Sequence, residues 1–277
     1  MWLNTGPLRS HDGPSLLGYG QPDPMPSHKV RHISTVTYFS ALDKFRSVPA
    51  TKQEGVLART HEGEPGLPRG RNGLPPEAVR AAQRERLLRS VIAAVAASGF
   101  SAVTVADIVR GAKVSRAAFY AHFADKEDCF LAATREGGRL LADRVAAAGR
   151  HQPAHVSAEA ALRASIAAYL GFLAAEPAFA RAFFIDMPAV GARAVQRLEA
   201  AQLSFARMTR KWHERARREN PSWPDVPYEA YLALAGATAE LVRTEVRHDR
   251  IRGIPDLEDT LVALHLAILA ARPWRAS

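Results

Sequence analysis

Between Pro76 and Ser98 the apolar side chains Leu87, Leu88, Val91, Ile92 and Val95 recur at the spacing of one helix face. Pro76 suits the first turn of that helix, Gly99 its stop, and Phe100 follows as the apolar residue that packs back. A second long helical stretch begins near Lys126 and runs to about Ala148. Beyond it, five more helices are predicted at about 157–175, 177–188, 191–219, 228–250 and 256–271. Their boundaries fall at Pro177, at Pro188 with Gly191, at Pro221 to Pro227, and at Gly253 to Pro255, where helical hydrogen bonding or geometry is interrupted.

The residues before this pattern are of another kind. Ten of the 18 prolines and nine of the 18 glycines lie in residues 1–76, so that stretch cannot sustain long helices or central strands. Residues 1–74 are therefore expected to be a disordered Pro/Gly-rich extension, with one short extended patch at Ile33–Phe39. Within it Leu67-Pro68-Arg69-Gly70-Arg71 forms a basic arm just ahead of the first helix. Arg69 and Arg71 on such an arm are candidates for the minor groove of DNA.

Residues 103–128 contain three helix starts in close succession. Thr104, with Asp107 three positions on, makes a capping-box start for a short helix to about Ala112. Ser115 caps the next, and Val114 before it can staple onto Phe119. Asp125 caps the long helix that follows. Two short helices joined by the tight turn Lys113-Val114 match a helix-turn-helix spanning 104–123. The helix from Ser115 then buries Phe119 and presents Arg116, Ala117, Tyr120 and His122 outward, with small alanines that allow close approach to a major groove. Lys126 stands in the first turn of a helix, where a cation opposes the helix dipole. It makes sense there if it clasps a phosphate together with backbone N–H groups.

Taken together, Thr104, Val114-Ser115, Phe119-Tyr120, His122-Phe123 and Lys126-Glu127 stand in the register of the TetR (tetracycline-repressor-type) regulators, which residues 81–141 resemble. The resemblance implies phosphate contacts from Thr104, Ser115, Tyr120 and Lys126, and positions at base edges for Arg116, Ala117 and His122. Two departures stand out: Lys113 occupies a usual glycine position, and Ala118 replaces a frequent threonine. The implied fold class is all-α, with an N-terminal three-helix DNA-binding domain at 75–141 and a C-terminal helical ligand-binding and dimerisation domain at 142–277. The implied partner is double-stranded DNA with a near-palindromic operator, bound by a homodimer and released by a small apolar effector.

Composition changes this picture little. The net charge of +9 fits a polyanionic partner. A single cysteine, Cys129, excludes an internal disulfide and a cysteine-built zinc site, and suits a reducing cytoplasm beside the nucleoid. No run approaches the ~18 apolar residues of a membrane span, and no membrane partner is expected. The C-terminal half carries no recognisable catalytic or metal motif, so neither enzyme activity nor a cofactor is expected. Its aromatic and methionine residues supply the pocket candidates Phe172, Phe184, Met187, Phe205, Trp212 and Tyr231. Leu234, Ala237, Leu241, Leu261, Leu264 and Ile268, on the last two helices, supply the dimer-interface candidates. The basic run Arg207–Arg218 reads as a solvated face. Two rival readings remain: a ligand-independent dimeric DNA-binding protein, and a helical small-molecule carrier or enzyme with an appended DNA-binding head.

Overall fold

The computed structural model describes residues 55–64, 75–150 and 156–270, and the second and third of these stretches are largely helical. Helix α1 spans Pro76–Ser98, with Pro in its first turn and Gly99 at φ 78° closing it by an N–H bond to the Val95 carbonyl. Its predicted face is the buried one: Leu87, Leu88, Val91, Ile92 and Val95 all lie in the core. Helix α2 (Val105–Ala112) and the five-residue α3 (Arg116–Tyr120) pack on it, and α4 (Lys126–Arg150) leads away from this head.

The remaining elements form the C-terminal half. Helix α5 (Ala158–Ala175) lies against α4, and α6 (Pro177–Arg181) runs on through a π-helical turn, Ala182–Asp186, and a 3₁₀ turn, Met187–Ala189. The sequence pattern predicts one helix here. The widening is instead seen in the Met187 N–H bonding back to the Ala182 carbonyl, just before Pro188, which has no N–H to continue the ladder. Helices α7 (Ala192–Glu219), α8 (Tyr228–Arg247) and α9 (Glu258–Leu269), the last preceded by the 3₁₀ segment Ile251–Leu257, complete the bundle.

One apolar core runs from Leu87, Phe119 and Phe130 in the head to Leu170, Phe179 and Leu261 beyond it. A smaller cluster around Ala206, Tyr231, Leu234 and Leu269 closes the far end. Helix α5 corrects one expectation. Its 18 residues average a hydropathy of 1.3, enough by length and composition to cross a bilayer. Much of that apolarity comes from alanine, and the helix packs on α4, α7 and α9 with Leu162, Ile166, Leu170, Phe172 and Leu173 buried.

A second correction concerns the segment ahead of α1. Residues 55–64 are docked, not disordered. The Val56 and Leu57 N–H groups each donate to the buried Glu176 carboxylate at 2.9 Å. The Arg59 N–H reaches the Arg89 carbonyl on α1, and the His61 N–H reaches the Gly111 carbonyl on α2 at 2.6 Å. Ala58 is buried in the main core. The strap thus ties α1 and α2 to the junction between α5 and α6. Arg69, Arg71 and Ile33–Phe39 lie outside the described residues.

Three histidines feel this packing: burial, first of all, holds His122, His213 and His265 below the usual imidazole value. In the unfolded chain each takes up its proton near pH 6.5, whereas the folded chain resists it. Stability from these groups is therefore complete above about pH 6.5 and falls as the pH drops towards the depressed folded values. The thermal midpoint is expected to be lower at pH 5.5 than at pH 7.5, and His213→Asn should flatten that slope. A midpoint indifferent to pH over this range would contradict the assignment.

Candidate nucleic-acid interface and effector cavity

The head is assembled by its caps. The Thr104 Oγ1 accepts from the Asp107 N–H at 3.2 Å, while the Asp107 carboxylate accepts from the Thr104 N–H at 3.0 Å and its hydroxyl at 2.7 Å. These bonds hold the Asp107 carboxyl below the usual range, the hydroxyl first among them. Lys113 ends α2 in the left-handed region at φ 53° and ψ 43°, where a side chain costs about 1 kcal/mol over glycine. The Val114 N–H reaches back to the Val109 carbonyl, so the turn is a closed helix stop despite that strain. Ser115 then accepts from the Ala118 N–H at 3.1 Å and starts α3. Asp125 likewise accepts from the Asp128 N–H at 2.7 Å and starts α4.

This geometry sorts the candidate DNA contacts. Thr104, Ser115, Arg116, Ala117 and Tyr120 are all exposed, and Tyr120 keeps 53% of its surface open, one of the few large apolar side chains to do so. Its ring stands edge-on to buried Phe119 at 5.3 Å. His122 is half-buried, with Nε2 enclosed and lacking a hydrogen-bond partner. Burial, then Arg80 and Arg84 on α1, favour its neutral form. It therefore follows α3 with its ring partly packed, unlike the exposed Arg116 and Tyr120.

Lys126 has an occupation the sequence did not disclose. Its Nζ donates to the carbonyls of Phe100 at 3.0 Å, Ser101 at 3.3 Å and Val103 at 2.7 Å. It also stands 4.6 Å from the centroid of the Phe100 ring. The ammonium thus gathers the orphan carbonyls of the turn between α1 and α2, which explains a cation at this helix start without any phosphate. Lys126→Met is expected to cost about 1–2 kcal/mol in urea denaturation, since these acceptors lose a charged donor they share. An unchanged midpoint would return the amine to the DNA.

A cavity of about 340 Å³ lies further along, between α4, α5, α7, α8 and α9. Its wall is largely apolar, with Val145 and Gly149 on α4, Leu162, Ile166 and Tyr169 on α5, and Phe205 and Trp212 on α7. Of the six pocket candidates, Phe205 and Trp212 line it. Phe172, Phe184 and Met187 instead fill the main core, and the Tyr231 hydroxyl is engaged with His213 Nδ1 at 2.8 Å. The His213 Nε2–H faces the Leu269 carbonyl at 3.0 Å, so that imidazole joins α7, α8 and α9 as a structural post. Sequence reasoning did not select Thr209, Thr238 and His265, which also line the cavity; their only signal was a polar residue on an otherwise apolar helix face. Lys211 and Arg215 from the basic run stand in the lining as well.

The dimer candidates divide similarly. Leu234 and Leu261 are fully buried within the chain and offer no surface to a partner, because α8 and α9 face inward at those positions. Ala237, Leu241, Leu264 and Ile268 remain partly exposed. Among the described residues no group of three or more His, Cys, Asp or Glu side chains is placed to hold a metal ion. The one thiol, Cys129, is buried, which pushes it far above the usual range and leaves it unreactive.

Residues 90–133, which include the capped helix-turn-helix just described, match the model of the bacterial regulatory proteins of the tetR family. No curated protein matches the chain. The fold is shared with solved structures. The fatty acid degradation regulator FadR from Bacillus halodurans is similar at a TM-score of 0.61 and 16% identity, over 69% of this chain and 97% of that one. The transcriptional regulator FadR from Bacillus subtilis, solved with stearoyl-CoA, gives 0.59 and 15%, over 66% and 97%. A tetR-family regulatory protein from Rhodococcus RHA1 gives 0.54 and 20%, over 69% and 98%.

Proposed function

Through the head matched at residues 90–133 the chain belongs to the tetR family of DNA-binding transcriptional regulators, and from that premise we propose a dimeric repressor released from its operator by a small, largely apolar molecule. Regulators of this family are not enzymes. This one would work at the nucleoid, in the cytoplasm. The DNA contacts proposed are Thr104, Ser115, Arg116, Ala117 and Tyr120, all exposed. Arg69 and Arg71 are proposed as additional minor-groove contacts. The domain division proposed is a head ending near 141 and a sensor beyond it. The partly exposed Ala237, Leu241, Leu264 and Ile268 are proposed as the dimer face.

The observation that carries the sensor reading is the course of α4. It lines the cavity at Val145, Ala146 and Gly149, and it begins at Lys126, fastened to the turn ahead of α2. At about 1.5 Å per residue the two ends lie on the order of 30 Å apart. Arg193 on α7 adds a second tie, standing 3.6 Å from both Glu127 and Asp128 at the start of α4. A ligand that displaces the cavity end of α4 therefore moves the head. A small shift suffices, because two recognition helices must fit successive major-groove faces about 34–36 Å apart. Thermodynamically the ligand must favour the DNA-incompetent arrangement, and DNA must weaken the ligand equally. The FadR of Bacillus subtilis was solved with stearoyl-CoA, and an acyl chain is one apolar class the wall here would accept.

The test is a titration of candidate apolar molecules against the complex of the full chain with DNA from upstream of its own gene. Release of DNA by a molecule that also binds the free protein supports the sensor. DNA binding that no cavity-filling molecule perturbs favours the ligand-independent reading. Loss of release on Val145→Trp, with DNA affinity kept, would place the signal in this cavity.

A further inference from the structure

The cavity lining includes deeply buried polar side chains. Thr238 on α8 is 2% exposed, and its Oγ1 has no hydrogen-bond partner within the protein. Such a buried hydroxyl is normally satisfied, by protein, water or a ligand. In the same lining, His265 on α9 is 1% exposed. Its Nδ1–H is committed to the Leu261 carbonyl at 2.8 Å, which leaves Nε2 as an acceptor. Burial keeps that imidazole neutral. Its ring faces Phe205 at 6.3 Å, and Phe205 in turn meets Tyr169 at 5.8 Å, so the imidazole belongs to the cavity wall. The lining is otherwise graded. Lys211 is exposed and Arg215 half-buried, whereas Thr238, Leu261 and His265 are buried. The lining thus sets its cations toward solvent and, among equally buried apolar side chains such as Leu162 and Ile166, a floor with one donor and one acceptor.

We propose that the effector is an apolar carboxylate with a hydroxyl at its far end, the hydroxyl held by Thr238 and His265 and the carboxylate by Lys211 and Arg215. The effector hydroxyl accepts from Thr238 Oγ1–H and donates to His265 Nε2, using both groups at once. The volume sets the length: at roughly 30 Å³ per non-hydrogen atom, the share of a water in the liquid, 340 Å³ holds about eleven. An eight-carbon hydroxy acid, which has that many carbons and oxygens together, is the matching size. The inference rests on the sensor reading above and names the ligand class for that same cavity.

Calorimetric titration of the full-length protein with octanoate and with 8-hydroxyoctanoate tests it. The wild-type protein is expected to bind the hydroxy acid about tenfold more tightly, the worth of a good hydrogen bond. Thr238→Val should bring the two acids to parity, and Thr238→Ser should restore the preference. Both acids are measured on the same variant, so their ratio is insensitive to a change in stability. Equal affinities in the wild type would mean that water satisfies the floor; the hydroxyl proposal would fall and the sensor reading would stand. A preference that survives Thr238→Val would overturn the floor assignment. If neither acid bound at millimolar concentration, the carboxylate proposal would fall, and the sensor reading would stand or fall on the DNA-release titration above.

Discussion

Phe119→Ala is expected to destabilise the chain by about 4 kcal/mol, the usual cost of emptying a fully buried phenylalanine site. Phe119 has no exposed surface, and α3, which carries it, is only five residues long. A helix of that length has no stability of its own and persists through its packing. Phe119 supplies that packing, with Phe123 at 5.8 Å ring to ring and Val114 and Ile108 buried in the same core. The void cannot be refilled by the neighbouring alanines. Urea denaturation followed by circular dichroism checks the value, and DNA binding should vanish with it. Tyr120→Ala, one residue on, is the control: the side chain is largely exposed, and its loss should alter stability by no more than about 0.5 kcal/mol. A cost below 1 kcal/mol at Phe119 would mean that α3 is held by its caps and not by this ring.

The second large effect is on DNA. Arg116→Ala is expected to leave the unfolding midpoint unchanged and to weaken operator binding about 10- to 100-fold, the worth of a good bidentate base contact. Arg116 is exposed at the first position of α3, behind the Ser115 cap, where side chains reach outward and not into the core. Affinity measured on operator and on random DNA over a salt series separates two roles. Loss confined to the operator marks a base contact. Equal loss on both, with the salt slope reduced by about one, marks a phosphate contact. No loss on either DNA would remove Arg116 from the interface. Lys126→Met should behave oppositely, costing stability first, because its ammonium is already occupied by three carbonyls.

Local physics wrote the head into the sequence, and the contrast with the rest is instructive. The bounds of α1 follow from Pro76 and Gly99, and the starts of α2, α3 and α4 from Thr104, Ser115 and Asp125. Each signal lies within a few residues of what it controls. Lys126 shows where that reasoning ends. Its three acceptors are main-chain carbonyls more than 20 residues away, and carbonyls leave no mark on side-chain pattern. Leu234 and Leu261 have the right composition for a dimer face, yet apolar residues look alike whether they face a partner or the chain's own core. The same ambiguity sent Phe172, Phe184 and Met187 to the pocket. Thr238 and His265 were legible only as polar residues in apolar helices; their meaning needed the cavity that both line.

The strap of residues 55–64 carries a consequence for the order of events in folding. Its bonds to Glu176 join positions 119 and 120 residues apart in the chain. Closing so long a loop is entropically costly until the elements between have already gathered. The strap therefore docks last, after the junction of α5 and α6 has formed, and it is the first part to let go. Its release exposes the Val56 and Leu57 amides while the helices remain intact. Hydrogen exchange should find these amides trading with solvent sooner than those inside α1, although their acceptor is among the most enclosed carboxylates in the molecule. The order of closure makes the strap a late seal on a head that is already built.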